Sequence, residues 1–158
     1  MNIRLQKAAI TDCEKIHRLQ ISSFKYLLDK YHDTATNPGA EPSETIVHKM
    51  KQDFTDYYFI KLDNEDIGSI RIVRLEDDIC RISPMFILPE FQGNGYAQQA
   101  IDEVEELYPK ASIWQLDTIK EEKMLCHLYE KMGYKPTGKE EAIQDKMTII
   151  YYEKQILL

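Results

Sequence analysis

The sequence predicts one α/β domain of the α+β type, in which a single mixed, mostly antiparallel central sheet is flanked by helices. Three features support this fold class. Three β-branched and aromatic segments are separated by short polar turns, two helical segments carry a clean apolar stripe, and a glycine-containing turn joins a strand to the first of those helices. At 158 residues the chain has the size of one ordinary domain, so we expect residues 1–158 to form one unit.

The N-terminal third predicts a strand followed by a long helix. Residues 3–7 alternate between apolar and polar side chains, as a half-buried strand does. Thr11 and Glu14 form a capping-box pattern, which predicts a helix over about residues 12–29. Its apolar positions recur every three to four residues. They are Cys13, Ile16, Leu19, Phe24, Leu27 and Leu28.

Residues 30–44 contain Asn37-Pro38-Gly39 and predict a loop. Loops of this length in compact domains often border a ligand site. We therefore expect this loop to lie near a site, and Ser43 to cap a short second helix that reaches about Lys51.

The middle of the chain predicts an antiparallel meander of three strands, over residues 57–62, 67–75 and 79–88. Short acidic turns separate the strands. The three consecutive acidic residues at 76–78 are interpreted as a solvated turn and not as a metal site.

The C-terminal half alternates helices and strands. A helix that begins at the glycine turn and ends before Pro109 precedes a strand at residues 112–117. A second striped helix ends at Gly133, the expected C-terminal cap, and residues 147–153 predict the final strand. The predicted order is β-α-α-β-β-β-α-β-α-β-β, with a parallel crossover around the glycine turn.

Composition limits the classes of function. The net charge of −7 argues against non-specific nucleic-acid binding, and no apolar run is long enough to cross a membrane. The three cysteines are widely spaced and the histidines show no ligand spacing, so we expect no disulfide framework and no metal site. With no signal-peptide pattern at the N-terminus, a cytoplasmic location fits best. An acidic surface also suits an amine as a substrate.

The turn Gln92-Gly93-Asn94-Gly95 carries the strongest functional signal. Glycines permit positive φ and let a ligand approach the main chain, and the first amides of a helix have no intrahelical partner. Together with the helix dipole they form an anion site that needs no basic side chain. The sequence therefore predicts a diphosphate cradle built from main-chain N–H groups.

Two other phosphate-binding motifs fit this turn poorly. The dinucleotide fingerprint G-x-G-x-x-G matches Gly93 and Gly95, but Gln98 occupies the third glycine position. The P-loop requires a terminal Gly-Lys-Ser/Thr, which is absent. A dinucleotide-dependent oxidoreductase is therefore disfavoured.

The pattern Gln-x-x-Gly-x-Ala at Gln92, Gly95 and Ala97, with the preceding passage 86–92, resembles the GNAT family of N-acetyltransferases. Residues 128–134, Leu-Tyr-Glu-Lys-Met-Gly-Tyr, resemble a second segment of that family. The resemblance covers nearly the whole chain. It implies that acetyl-CoA is the acetyl donor and that a primary amine of a small molecule or protein attacks it directly. The implied cofactor-binding residues are Phe86, Ile87, Gln92, Gly93, Asn94, Gly95, Tyr96 and Ala97.

The same resemblance implies catalytic roles. Tyr129 occupies the position of the frequent general acid, and the Ile87 backbone N–H is expected to stabilise the oxyanion, with Phe86 and Ile87 pairing with pantetheine. The alternative for Tyr129 is packing within the helix stripe. Asp117 is a candidate general base, although a loop-entry cap is the simpler interpretation. Tyr31 and His32, in the long early loop, are candidate acceptor contacts or an ordinary surface loop.

One position departs from the family pattern. Glu122 stands where the family often has an asparagine, and a carboxylate cannot donate the amide hydrogen bond. A non-catalytic domain that senses acyl-CoA is therefore the alternative to an enzyme. Exposed edge strands also make a homodimer plausible.

Overall fold

A seven-stranded sheet organises the chain in the computed structural model, which describes residues 2–156. The elements follow the predicted order. They are β1 (Ile3–Lys7), α1 (Cys13–Tyr31), α2 (Ser43–Met50), β2 (Thr55–Leu62), β3 (Glu65–Glu76), β4 (Ile79–Ile87), α3 (Tyr96–Leu107), β5 (Ile113–Ile119), α4 (Lys123–Lys131), β6 (Lys135–Gln144) and β7 (Met147–Gln155). The α+β class and the mixed, mostly antiparallel sheet are confirmed.

The strands lie in the order β1-β2-β3-β4-β5-β7-β6, so β1 and β6 form the edges. The pair β4–β5 is parallel, as the crossover around the glycine turn predicts, and the other neighbouring pairs are antiparallel. The β4–β5 pairing covers only Ile79–Arg81 against Ile113–Gln115. Beyond these residues the two strands separate and open the sheet.

A bulge in β4 lies next to this opening. Ile70 pairs with Met85 whereas Ile72 pairs with Ile82, so β4 has one residue more than β3 between those pairs. The Arg71 guanidinium on β3 donates to the Ser83 carbonyl at 2.8 Å and holds the bulged segment. The bulge turns the second half of β4 relative to its first half.

The helices pack on the two faces of the sheet. α3 and α4 cover one face through the largest apolar cluster, which includes Ile101, Val104 and Trp114. α1 and α2 cover the other face through two smaller clusters, one around Ile16 and one around Leu27. The opening between β4 and β5 is therefore bordered by helices from both faces. Within residues 2–156, the helices are too short or too polar to span a bilayer.

The structure corrects both predicted helix caps. Asp12 precedes α1 without a side-chain cap, and its carboxylate accepts from the Ala9 amide at 2.8 Å in a 3-10 turn, so Thr11 and Glu14 form no capping box. Ser43 is the first residue of α2, after Pro42, and does not cap it. α1 thus follows directly on a 3-10 turn, whereas α2 is entered from extended backbone at Glu41 and Pro42.

Candidate active site

A cleft of about 500 Å³ lies where β4 and β5 separate. Two walls enclose it. The turn side consists of residues 91–93, residues 95–98 and α4. The α1 side consists of residues 23–27 of α1, the loop 33–38 and the start of β7. The second half of β4 and the end of β5 form the floor between them. The loop after α1 thus borders the cleft, as predicted.

The glycine turn has the backbone that its sequence predicts. Gly93 and Gly95 have φ of 82° and 80°, in the left-handed region where a side chain costs about 1–2 kcal/mol. Gly95 immediately precedes α3, and an added Cβ at either glycine would meet no atom within 4 Å. The turn therefore leaves open space above its main chain.

The polar side chains of the turn donate to main-chain carbonyls of the turn and of the end of β4. The Gln92 amide donates to the Ile87 carbonyl at 2.8 Å, and the Asn94 amide donates to the Phe91 carbonyl at 3.1 Å. The Gln99 amide makes the first helical bond, to the Gly95 carbonyl at 3.1 Å. In the described part of the chain, the main-chain amides of residues 93–98 donate to no protein acceptor. A run of unbonded amides at the start of a helix is an arrangement suited to an anionic ligand.

Five of the predicted turn residues line the cleft. They are Gln92, Gly93, Gly95, Tyr96 and Ala97. Asn94 does not line it, because its side chain folds back onto the preceding carbonyls and braces the turn. Its contribution to the cleft is limited to the geometry of the main chain.

The end of β4 presents a second main-chain N–H that has no acceptor in the part of the chain that the structure describes, that of Ile87. Leu88 donates to the Ile67 carbonyl at 2.8 Å, so the alternating pattern of an antiparallel ladder directs the Ile87 peptide groups away from β3. The Ile87 carbonyl accepts from the Ser23 hydroxyl at 3.0 Å and from Gln92. The N–H of the same residue points to the same side, where β5 has already separated. Phe86 and Ile87 both line the cleft.

Tyr129 on α4 both packs against its neighbours and reaches the cleft, so both interpretations of its sequence position are compatible with the structure. The side chain is 7% exposed, and its ring packs against Tyr134 and Tyr152 at centroid distances of 6.3 Å. The residue also lines the cleft, and among residues 2–156 its hydroxyl has no hydrogen-bond partner. Burial, and then the nearby Asp117 and Cys126, raise the pKa of the phenol, which therefore stays protonated at neutral pH.

Asp117 lines the cleft floor, two residues before the end of β5, and forms an ion pair with Arg81. Burial raises the pKa of the Asp117 carboxyl, although the Arg81 guanidinium acts in the opposite direction. The predicted loop-entry cap is not observed, because the strand continues to Ile119. The carboxylate faces the cleft with one oxygen already engaged by Arg81.

Tyr31 and His32 lie outside the lining of the cleft. α1 ends at Tyr31, whose buried hydroxyl donates to Glu122, while His32 is exposed in the left-handed conformation that ends the helix. Lys30 also binds Glu122, at 2.7 Å. Neither Tyr31 nor His32 lines the cleft, and Glu122 instead ties the end of α1 to the start of α4.

Sequence reasoning missed two contributors to the site. Ser23 holds the Ile87 carbonyl, and Arg81 pairs with Asp117. A signal for Ser23 was present, because the buried face of α1 runs through Ile16, Gln20, Ser23, Leu27 and Tyr31, and two of these five are polar. A polar residue on the buried face of a helix has to find a partner inside the protein. Arg81 carries no comparable signal.

The splayed parallel strands and the amide-lined turn define the class of acetyltransferases. The model of the Acetyltransferase (GNAT) family matches residues 16–134, and the chain belongs to that family.

Solved structures share the fold over nearly the whole chain. The PaiA N-acetyltransferase from Thermoplasma acidophilum, in complex with coenzyme A, is 16% identical with a TM-score of 0.74 and covers 99% of this chain and 100% of its own. The ribosomal-protein-S18-alanine N-acetyltransferase from Escherichia coli is 10% identical with a TM-score of 0.79, covering 99% and 95%. The spermidine/spermine N-acetyltransferase from Vibrio cholerae is 16% identical with a TM-score of 0.70, covering 98% and 92%. No curated protein matches the sequence.

Proposed function

We propose that the protein transfers an acetyl group from acetyl-CoA to a primary amine, by direct attack while both substrates are bound. One observation carries this proposal. The glycine turn, whose amides at residues 93–98 have no acceptor among residues 2–156, borders the same cleft as the Tyr129 hydroxyl, which likewise has no partner there. Main-chain donors suited to an anion and a protonated phenol thus lie in one cleft, at the point where β4 and β5 have separated.

The residues of the turn side fit coenzyme A. The amides of residues 93–98 would hold its diphosphate without a Cβ in the way, and the start of α3 adds the favourable end of a helix dipole. The Ile87 peptide groups, which face away from β3, would pair with the pantetheine amides as an added strand does. Phe86 would contribute only its side chain, because its carbonyl faces Gly68 on β3. The net negative charge of the chain does not prevent diphosphate binding here, because the binding groups are main-chain amides.

Bound acetyl-CoA would supply the thioester that the amine attacks. In this proposal the Ile87 N–H donates to the carbonyl oxygen as negative charge develops there. Tyr129 gives its phenolic proton to the sulfur, and Asp117 accepts a proton from the amine, directly or through water. A C–N bond forms and a C–S bond breaks. The amine loses one proton and the free thiol gains one, so the two substrates become an amide and coenzyme A.

The acceptor is proposed only as a primary amine of a small molecule or a protein. The structural neighbours include enzymes whose names specify spermidine and the alanine of a ribosomal protein, which are chemically different amines. At identities of 10–16% these neighbours support the reaction class and not a particular acceptor.

A two-part experiment tests the proposal. Thermal shift with acetyl-CoA, coenzyme A and NAD should show stabilisation by the first two only. Release of free thiol from acetyl-CoA should then depend on an added amine. Stabilisation by acetyl-CoA with no amine-dependent thiol release across a broad panel would instead identify a non-catalytic sensor of acyl-CoA.

A further inference from the structure

The α1 side of the cleft is predominantly apolar. Leu27, Met147 and Ile119 belong to one buried cluster, against which Phe24 and Ile149 pack. Phe24 also contacts Phe86 edge-to-face, with ring centroids 5.7 Å apart. All these side chains line the cleft, so a ligand that occupies this side meets aliphatic and aromatic groups.

Two large side chains at the cleft are left uncovered by the protein. Tyr26 is 49% exposed and Met124 is 87% exposed, and both line the cleft. Tyr26 lies near enough to Glu122 for the carboxylate to help raise the pKa of its phenol, after the larger effect of burial. Tyr26 lies on α1 and Met124 lies near the start of α4, and we call these two exposed side chains the rim of the cleft.

The carboxylates that line the cleft already have hydrogen-bond or ion-pair partners within the protein. Within residues 2–156 the lining contains two, Asp33 and Asp117. Asp33 is buried and accepts from the Ala35 and Thr36 amides, each at 3.1 Å, and from the Thr36 hydroxyl. Asp117 pairs with Arg81. The nearby Glu122 binds Lys30 and Tyr31 and does not line the cleft. The net negative charge of the chain is therefore not concentrated in the cleft.

The number of positive charges on an amine decides how well this lining can bind it as the acceptor. A polyamine keeps additional ammonium groups while one amine reacts, and each of them loses hydration in the cleft without gaining a free counter-charge. An amine with a single nitrogen needs only the one unpaired oxygen of Asp117. An apolar group attached to that nitrogen would cover the rim at Tyr26 and Met124.

We infer that the acceptor is a monoamine whose nitrogen is attached to an apolar body, aromatic or branched aliphatic, and not a polyamine. This inference rests on the proposed acetyl transfer. A free amine and the N-terminus of a peptide that begins with an apolar residue share this chemistry.

The test measures kcat/KM for thiol release from acetyl-CoA with matched acceptors. They are phenethylamine, ethylamine, spermidine, and two tripeptide amides that differ in having Phe or Ser at the N-terminus. Phenethylamine should exceed ethylamine and spermidine by roughly 10–100-fold, because burial of the ring adds affinity that the other two cannot provide. Of the two apolar acceptors, the one used faster identifies the source as a free amine or a peptide.

A charge variant tests the same inference from the other direction. Met124→Glu adds a free carboxylate at the rim on an exposed side chain, so the fold should tolerate it. The ratio of spermidine to phenethylamine turnover should rise at least fivefold. Leu107→Glu is the matched control, since Leu107 is 51% exposed, lies at the end of α3 and does not line the cleft. It should leave the ratio unchanged.

The possible failures are distinguishable. Equal or faster turnover of spermidine or ethylamine by the unmodified protein would overturn the inference and leave acetyl transfer intact. Thermal stabilisation by acetyl-CoA with no turnover of any amine would overturn both.

Discussion

The two walls of the cleft are built from different parts of the chain. On the turn side, the glycine turn presents main-chain amides and the side chains of Gln92 and Asn94 shape the turn, while α4 adds side chains such as Tyr129. The α1 side presents side chains, with Phe24, Tyr26 and Leu27 forming its surface. A binding site built from main-chain groups depends on the backbone conformation and tolerates changes of side chain. The ligand preference of a site built from side chains changes when those side chains are substituted. One wall is thus suited to a constant ligand and the other to a variable one.

The largest expected effect comes from removing the one side chain on the turn side to which we assign a chemical step, Tyr129. Tyr129→Phe should lower kcat by about 10²–10⁴-fold, because it removes a proton donor and leaves the packing of the ring in place. Affinity for coenzyme A and thermal stability should hardly change, since the hydroxyl has no partner among residues 2–156. Steady-state kinetics and calorimetry measure the two quantities.

Tyr152→Phe is the control for this variant. The Tyr152 hydroxyl donates to the Glu130 carboxylate at 2.8 Å, so its loss should cost about 1 kcal/mol of stability and leave kcat within twofold. An unchanged kcat in Tyr129→Phe would show that the ring only packs, which is the simpler interpretation of its sequence position.

The next effect tests whether the backbone of the turn binds the donor. Gly95→Ala places a side chain at φ of 80° and fills the open space above the turn, so coenzyme A should bind at least tenfold more weakly by calorimetry. Gly138→Ala is a matched control, because Gly138 has φ of 96° with open space around it and lies in β6, away from the cleft. Equal loss of affinity in both variants would mean that general strain, and not the turn, is responsible.

The pH dependence of the reaction should reflect the amine and not Tyr129. Burial raises the pKa of the phenol, so the proton donor persists above its ordinary pKa of about 10. kcat/KM should rise about tenfold per pH unit while the acceptor is mainly ammonium, and should show no decline below pH ~10. A falling alkaline limb below pH ~9 that disappears in Tyr129→Phe would contradict the raised pKa.

The smallest effect is expected where a side chain on the turn side is removed. Asn94→Ala deletes the bonds to the Phe91 and Gln92 carbonyls but none of the free amides, so affinity for coenzyme A should fall by less than about threefold. A loss as large as that of Gly95→Ala would show that the side chain binds the ligand, and the contrast between the two walls would fail.

The same contrast explains what could be predicted from the sequence. Glycine pairs and helix starts are local patterns, so the turn and the order of all elements were predicted, including the parallel crossover. The placement of Tyr31 was wrong because α1 runs two residues beyond its predicted end, which turns Tyr31 inward on the buried face of the helix. The ion pair of Arg81 with Asp117 joins residues 36 positions apart, and no local pattern specifies such a contact.

The most direct measurement is amide hydrogen exchange by NMR on residues 93–98, with and without coenzyme A. These amides have no protein acceptor in the described part of the chain, so they should exchange rapidly in the free protein. Saturating coenzyme A should slow their exchange at least tenfold, while the exposed amides of β6 stay unchanged. Unaltered exchange at residues 93–98 while coenzyme A demonstrably binds would place the ligand elsewhere and contradict a main-chain diphosphate site.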